Sequence, residues 1–260
     1  MSHDDHQEYD EAFVNALELV WGEGYLSPGG EQEVARIVGE VDLAGKHVLD
    51  IGCGSGGIDL LLVEKHGAAR VTGIDTEKSL IDKCRVRAAG SSDNERLEFI
   101  HVVPGPLPFE TGRFDVVFTK DSLVHIEDKH AICAEVFRVL KDGGVFIASD
   151  WMKGPGPVTQ RLQKYIDLED LGFGMGSRQE YQDALLDSGF SGVDFVDRNA
   201  WYTAEARQEH RRLSGELYDQ LVAAAGKELA DHEITTWKAL VDVLERGEVR
   251  PTHWHAVKGG

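Results

Sequence analysis

Cysteine is scarce in this 260-residue chain: Cys53, Cys84 and Cys133 are odd in number and form no Cys-x-x-Cys pair. That argues against a disulfide framework or a cysteine zinc site and for reduced, buried thiols. Positive charge is scarce too, with 27 Lys and Arg against 46 Asp and Glu and a formal charge of −19. Polyanions are held by clustered cations, so nucleic acid is not expected as a partner, whereas a cationic or zwitterionic small molecule suits the acidity. Stretches of roughly 18 consecutive apolar residues are missing, and the start, MSHDDHQEYD, has neither the basic nor the apolar region of a secretion signal. A cytoplasmic protein without a membrane segment is the expectation. Internal repeats and low-complexity tracts are also missing. What is left is a globular chain, 42% hydrophobic, long enough for one large domain with insertions.

Between residues 46 and 150 a short β-branched run, a turn and a helical stretch alternate. HVLDIG (47–52), RVTGID (70–75), LEFIHV (97–102), FDVVFT (114–119) and GVFIAS (144–149) read as strands, and 56–66, 77–89 and 127–140 have helical spacing. Alternating β and α predicts a doubly wound, Rossmann-like α/β sheet, parallel and covered on both faces. After the breaker KGPGP (153–157) a helix is expected at 158–170, a Ser-capped helix at 177–190 and a strand near 193–198. Residues 204–246 are helical in pattern, and HWHAVK (253–258) is a last strand. The division that follows is a leader of 1–30, a core of 31–151, and a part of 152–260 that adds strands and helical insertions. A helical lid is expected from 1–30, 152–176 and 200–246.

DIGCGSGG (50–57) follows a strand and opens a helix. Gly52, Gly54 and Gly56 therefore bring backbone N–H groups and a helix N-terminus against an anionic or carboxylate-bearing ligand. The glycines alone suit a dinucleotide, and hence an oxidoreductase, as well as S-adenosylmethionine. Asp50 precedes the first glycine by two residues, and Asp75 with Thr76 closes the next strand, where ribose hydroxyls would lie. This Asp-x-Gly-x-Gly-x-Gly pattern with its companion acid resembles the class I S-adenosylmethionine-dependent methyltransferases, and the resemblance runs on through FDVV and the LKDGG turn (140–144). It implies S-adenosylmethionine as cofactor. Many members of that class hold adenine with an Asp near the end of the third strand; Val103 and Pro104 stand there in this chain. Proline has no N–H to give, so adenine recognition shifts, with Gly105 the next donor, or the chain is a cofactor-binding regulator without catalysis.

Tyr9, helical spacing to Trp21, GEGYLSPGG (22–30), TKDSLVHIEDK (119–129), SDW (149–151), the EYQDALLDSGF helix (180–190) and Trp237 with the terminal strand together resemble the phosphoethanolamine methyltransferases. That resemblance implies a Tyr9–His125 dyad under a leader lid, Asp121 facing the substrate amine, Lys120 near the cofactor, and Leu26 and Ser27 closing over it. It also implies a phosphate grip that this chain lacks: one tyrosine persists as Tyr165, but Glu169, Leu171 and Leu240 replace the other phosphate ligands and Trp151 replaces a tyrosine. Two cations lost and a carboxylate gained make a phosphate ester an unfavourable guest. The expected substrate is a small unphosphorylated amine or amino acid, recognised by Trp151, Tyr165 and Glu169, with Arg178 the fallback ligand should a phosphate bind after all. Alternatives are S-methylation of a thioether such as methionine, and phosphoethanolamine itself. His253 and His255 share a strand face without a third metal ligand, so no metal is expected. Phe13 and Trp21 read as core, and EDKH (127–130) and AEARQEHRR (204–212) as solvated helix faces. Oligomeric state is left open.

Overall fold

The computed structural model describes residues 9–260; the first eight residues of the leader lie outside the described residues. Seven strands form one sheet: β1 (His47–Ile51), β2 (Arg70–Asp75), β3 (Leu97–His101), β4 (Phe114–Lys120), β5 (Leu140–Lys153), β6 (Phe190–Asp197) and β7 (Val249–Lys258). Their order is β3-β2-β1-β4-β5-β7-β6. The strands β1 to β5 pair in parallel, as the alternating pattern predicts. The last strand in sequence, β7, runs antiparallel between β5 and β6. The LKDGG turn is a bulge at the head of β5: Leu140 pairs with Phe114, and the register then shifts before Val145 meets Val116.

Parallel strands buried on both faces need apolar residues at successive positions, and the alternation sorts them. Val48, Val116 and Ile147 point to one layer, where they meet Ile37 of α2 (Gly30–Val38) and Leu62 of α3 (Gly57–Glu64). Leu49, Val117 and Phe146 point to the other, against Val136 of α5 (Lys129–Val139), Leu185 of α7 (Arg178–Asp187) and Trp254. A further helix, α4 (Lys78–Ala89), packs Ile81 and Cys84 on Phe99. The three cysteines are free and buried. Ser177 caps α7 in a reciprocal box with Glu180, as its sequence predicts.

The remaining helices are α1 (Glu11–Trp21), α6 (Gln160–Glu169), α8 (Asn199–Leu213), α9 (Tyr218–Ala225) and α10 (Lys227–Glu245). The region 204–246, expected to be largely helical, is covered by three helices. Gly226 breaks the second from the third at φ +81, a conformation that side chains resist. Asp10 starts α1 by accepting the Phe13 N–H at 2.8 Å, and the helix lays Leu17 and Val20 against Leu213, Leu221 and Trp237. Among the described residues no helix is long and apolar enough to cross a membrane.

The expectation that AEARQEHRR is a solvated face fails at Glu209, which is only 7% exposed. Its carboxylate accepts hydrogen bonds from Trp21 Nε1 at 2.8 Å, Trp237 Nε1 at 3.1 Å and Tyr202 Oη at 3.2 Å, joining α1, α8 and α10. Glu209→Ala strands three donors at once and is expected to lower unfolding free energy by about 3 kcal/mol in urea titration. Glu209→Gln, which keeps acceptor capacity, is expected to lose less; equal losses would contradict the hydrogen-bond account.

Candidate active site

The strand order reverses at β1, with β2 on one side and β4 on the other, so a crevice opens beyond the carboxyl ends of β1 and β4. The glycine loop lies there. The N–H groups of Gly52 and Cys53 hang from the Ile74 carbonyl at 2.8 and 3.0 Å. Gly52 has φ +73, and a Cβ on it would sit 2.1 Å from Ser122 Oγ, so only glycine lets the β4 loop approach. Gly54 N–H donates to Asp75 at 3.0 Å, and the other Asp75 oxygen accepts the Glu77 N–H at 2.9 Å. Gly56 caps α3 from the left-handed region. Thr76 is exposed, its carbonyl 3.0 Å from His101 Nε2. Asp50 is 1% exposed, and its Oδ1 has no hydrogen-bond partner. Burial first, and the neighbouring Asp59 carboxyl second, push the Asp50 pKa well above the usual range. A buried carboxyl with one unpartnered oxygen, an acid closing β2 and the N-terminus of α3 fit the ammonium, ribose and carboxylate of S-adenosylmethionine. Val103 is 75% exposed, and around Gly105 there is open space.

The leader is fastened to this loop. Gly57 N–H donates to the Gly24 carbonyl at 3.2 Å. A Cβ on Gly24 would come within 2.9 Å of Gly57 Cα, so the two backbones touch directly. Glu18 accepts from Gly24 N–H at 2.9 Å, Ser55 Oγ at 3.0 Å and Arg87 at 3.1 Å. Leu26 lies over Gly54, whose added Cβ would be 3.2 Å from Leu26 Cδ1. Lys120 Nζ donates to Ser27 Oγ at 2.5 Å.

At the end of β4 the buried Lys120 Nζ also pairs with Asp121 at 2.7 Å, and Ser149 Oγ donates to Asp121 at 2.8 Å. Asp121 is held at φ +58, a strained conformation for a residue with a side chain. A short 3-10 turn, Leu123–His125, follows. Two groups that sequence reasoning did not single out clamp it. The Asp150 carboxylate accepts the Val124 N–H at 3.0 Å and the Tyr181 hydroxyl. Lys129, expected on a solvated face but 5% exposed, donates to the Leu123 carbonyl at 2.6 Å and to that of Ile126. His125 Nδ1 lies 2.8 Å from the Leu171 carbonyl, and Nε2 lies 3.5 Å from the Tyr9 hydroxyl.

These groups open onto a cavity of about 560 Å³, open mouth included, that takes in Leu26, Ser27, Asp121, Trp151, Tyr165 and Glu169. Leu171 and Leu240 line it as well, and so do Phe13 and Trp21, which the sequence assigned to the core. The lining contains no lysine or arginine. Arg178 lies elsewhere, its guanidinium 5.1 Å from the Phe195 ring centroid. His253 pairs with Glu33 at 2.9 Å, and His255 Nε2 meets the Ile37 carbonyl at 2.8 Å, so both dock α2 on the sheet. Among the described residues no group of three His, Cys, Asp or Glu is placed to hold a metal ion.

Glu233, also unforeseen, is 5% exposed and faces the cavity from α10. Its signal is spacing: Glu233, Trp237, Leu240 and Leu244 form one stripe of that helix. Burial raises Glu169 to about 7 against the opposing Tyr165 hydrogen bond, and burial with the Glu169 charge raises Glu233 to about 8. Burial likewise lifts Asp150 to about 7, opposed by Lys129. Such acids bind protons in the folded chain that the unfolded chain has released, so their contribution to stability is lost as pH rises through the folded values. Burial lowers His47, His66 and His210, which act oppositely only below about pH 6.5. The melting temperature of the ligand-free protein is therefore expected to fall between about pH 6.5 and pH 8; a rise over that interval would contradict these assignments.

A family model described as a methyltransferase domain matches residues 48–144. Phosphoethanolamine N-methyltransferase 1 of Zea mays is 29% identical over 95% of this chain and 48% of its own length. The chain thus spans about half the length of the first such relatives. Sarcosine/dimethylglycine N-methyltransferase of Halorhodospira halochloris is 30% identical over 68% of this chain and 64% of its own. In fold the chain is similar to Haemonchus contortus phosphoethanolamine N-methyltransferase 2, solved with phosphomonomethylethanolamine and S-adenosylhomocysteine. The TM-score is 0.89 at 21% identity, over 98% of this chain and 60% of that one. With the glycine loop, the Asp50 and Asp75 acids and the strand reversal at β1, these likenesses give the chain a methyltransferase domain over residues 48–144 and the Rossmann-like fold of the class I methyltransferase structures.

Proposed function

We propose that the chain transfers a methyl group to the nitrogen of a small unphosphorylated amine or amino acid, with His125 as base and Tyr9 as its partner. The observation that carries this reading is the cavity wall, where Asp121, Glu169 and Glu233 stand among aromatic rings with no lysine or arginine in the lining. A phosphate in that wall would meet carboxyl groups, while Lys120 beside it is already paired with Asp121, a mismatch costing on the order of several kcal/mol. Relatives named for phosphoethanolamine and for sarcosine and dimethylglycine share an amine as acceptor, and the wall supports the unphosphorylated kind. Residues 9–30, with α6 and α8 to α10, form the lid in this reading.

S-adenosylmethionine supplies an electrophilic methyl group on a sulfonium. The amine must present a free lone pair, yet near neutral pH it is protonated, so a base has to take its proton. A histidine whose Nδ1–H donates to a carbonyl, as the Leu171 contact arranges for His125, carries its lone pair on Nε2. That atom faces the Tyr9 hydroxyl, which orients the ring while Phe13 and Trp21 keep water from the cavity. Asp121 accepts an N–H of the amine and is itself held by Lys120 and Ser149. Trp151 and Tyr165 offer ring faces to a methylated nitrogen.

The test is S-adenosylhomocysteine release with phosphoethanolamine, glycine, sarcosine, dimethylglycine, simple amines and methionine. An unphosphorylated amine is expected to be turned over best, and a preference for phosphoethanolamine sinks the reading. His125→Ala is expected to reduce amine methylation by roughly 10²–10⁴-fold and Tyr9→Phe by less. Thioether methylation releases no proton, so a methionine-preferring enzyme that tolerates His125→Ala would point to S-methyl transfer instead.

A further inference from the structure

Beyond His125 the cavity has a second, acidic end. Phe173 stands between, its ring centroid 5.3 Å from His125 and 6.3 Å from Tyr165. Past Tyr165 come Glu169 of α6 and Glu233 of α10, close enough to repel one another. The Tyr165 hydroxyl bonds Glu169. Glu233 is different: nineteen-twentieths buried, it faces the cavity and makes no hydrogen bond among the described residues. A buried carboxyl with neither donor nor cation is costly unless a guest supplies one. The rings of Trp237, Tyr202 and Tyr165 line the same cavity and are walls that suit a cation, and among the described residues the lining has no lysine or arginine to compete.

We propose that Glu233, with Glu169, forms a subsite for a second cationic nitrogen, so that the preferred acceptor is a short diamine, one nitrogen at His125 and Asp121 and the other between the two glutamates. This rests on the amine-methyltransferase reading and sharpens it. The amine at the His125 end loses its proton to that base as its lone pair forms the new N–CH3 bond and the sulfonium S–CH3 bond breaks. The distal ammonium keeps its proton and is held throughout. That neither carboxyl has a counter-ion among the described residues agrees with values pushed up to about 7 for Glu169 and about 8 for Glu233 by burial.

Three probes share one carbon chain and differ only at the far end: putrescine with an ammonium, n-butylamine with a methyl, and γ-aminobutyrate with a carboxylate. S-adenosylhomocysteine release is expected to rank them in that order, with kcat/KM for putrescine roughly ten- to a hundredfold above n-butylamine. Glu233→Gln is expected to shrink that ratio towards one, chiefly through KM, with circular dichroism confirming the fold. Calorimetry of putrescine with the S-adenosylhomocysteine complex supplies a readout independent of turnover. Amines turned over with no advantage for putrescine, or an advantage that survives Glu233→Gln, overturns the subsite and leaves the amine reading standing. Putrescine bound through Glu233 without methyl transfer keeps the subsite and overturns the amine reading. Neither binding nor turnover overturns both.

Discussion

Glu209 accepts hydrogen bonds from three helices at once, and the roof over the cavity depends on it. The leader helix α1 has only 11 residues, a length marginal for a helix standing alone in water. Its position comes from Leu17 and Val20 on the α9 and α10 surface and from the Trp21 indole fixed on Glu209. Tyr9 lies at the other end of the same segment, so its contact with His125 is set by an anchor several turns away. Glu18 completes the arrangement from the middle of the helix by tying it to Arg87 and Ser55 of the core. Leader and glycine loop are thereby parts of one hydrogen-bonded unit.

Two buried glutamates show how partners decide what burial does. Glu33 and Glu233 are similarly secluded, at 1% and 5% exposure. Burial opposes ionisation of Glu33, but hydrogen bonds from His253 and a two-pronged contact from Arg198 overcome it and bring its pKa down to about 2. Glu233 has only another acid for company and moves the opposite way. The first is a strut between α2 and the sheet. The second is an open valence.

The core strands and the glycine loop were legible in the sequence because their signals are local: β-branched runs, a turn, and glycines at fixed spacing. Gly52 can be named from the sequence alone, and the structure adds why, in the Ser122 side chain pressed against it. Glu209, Lys129 and Glu233 were not legible. A charge on an amphipathic helix reads as solvated unless another element covers it, and covering is a tertiary property. Of the two breaks within the largely helical 204–246 region, the first is poorly marked for a related reason, since Ser214–Leu217 contains one glycine and no proline to mark the turn. The cavity roles of Phe13 and Trp21 depend likewise on where α1 docks.

The contact between Gly24 and Gly57 is made by main-chain atoms on both sides. A joint of that kind is indifferent to most of the side chains around it and sensitive to the number of residues that lead to it. Between the end of α1 at Trp21 and the start of α2 at Gly30, the constrained positions are few: Gly24 at the joint, Leu26 and Ser27 over the loop, and Gly29, whose added Cβ would sit 2.5 Å from Glu33 Cβ. A single inserted or deleted residue, by contrast, would carry Leu26 and Ser27 off the loop they cover and Tyr9 out of line with His125. For anyone redesigning the acceptor range, the length of the leader is the quantity to hold fixed, together with the few side chains that anchor it.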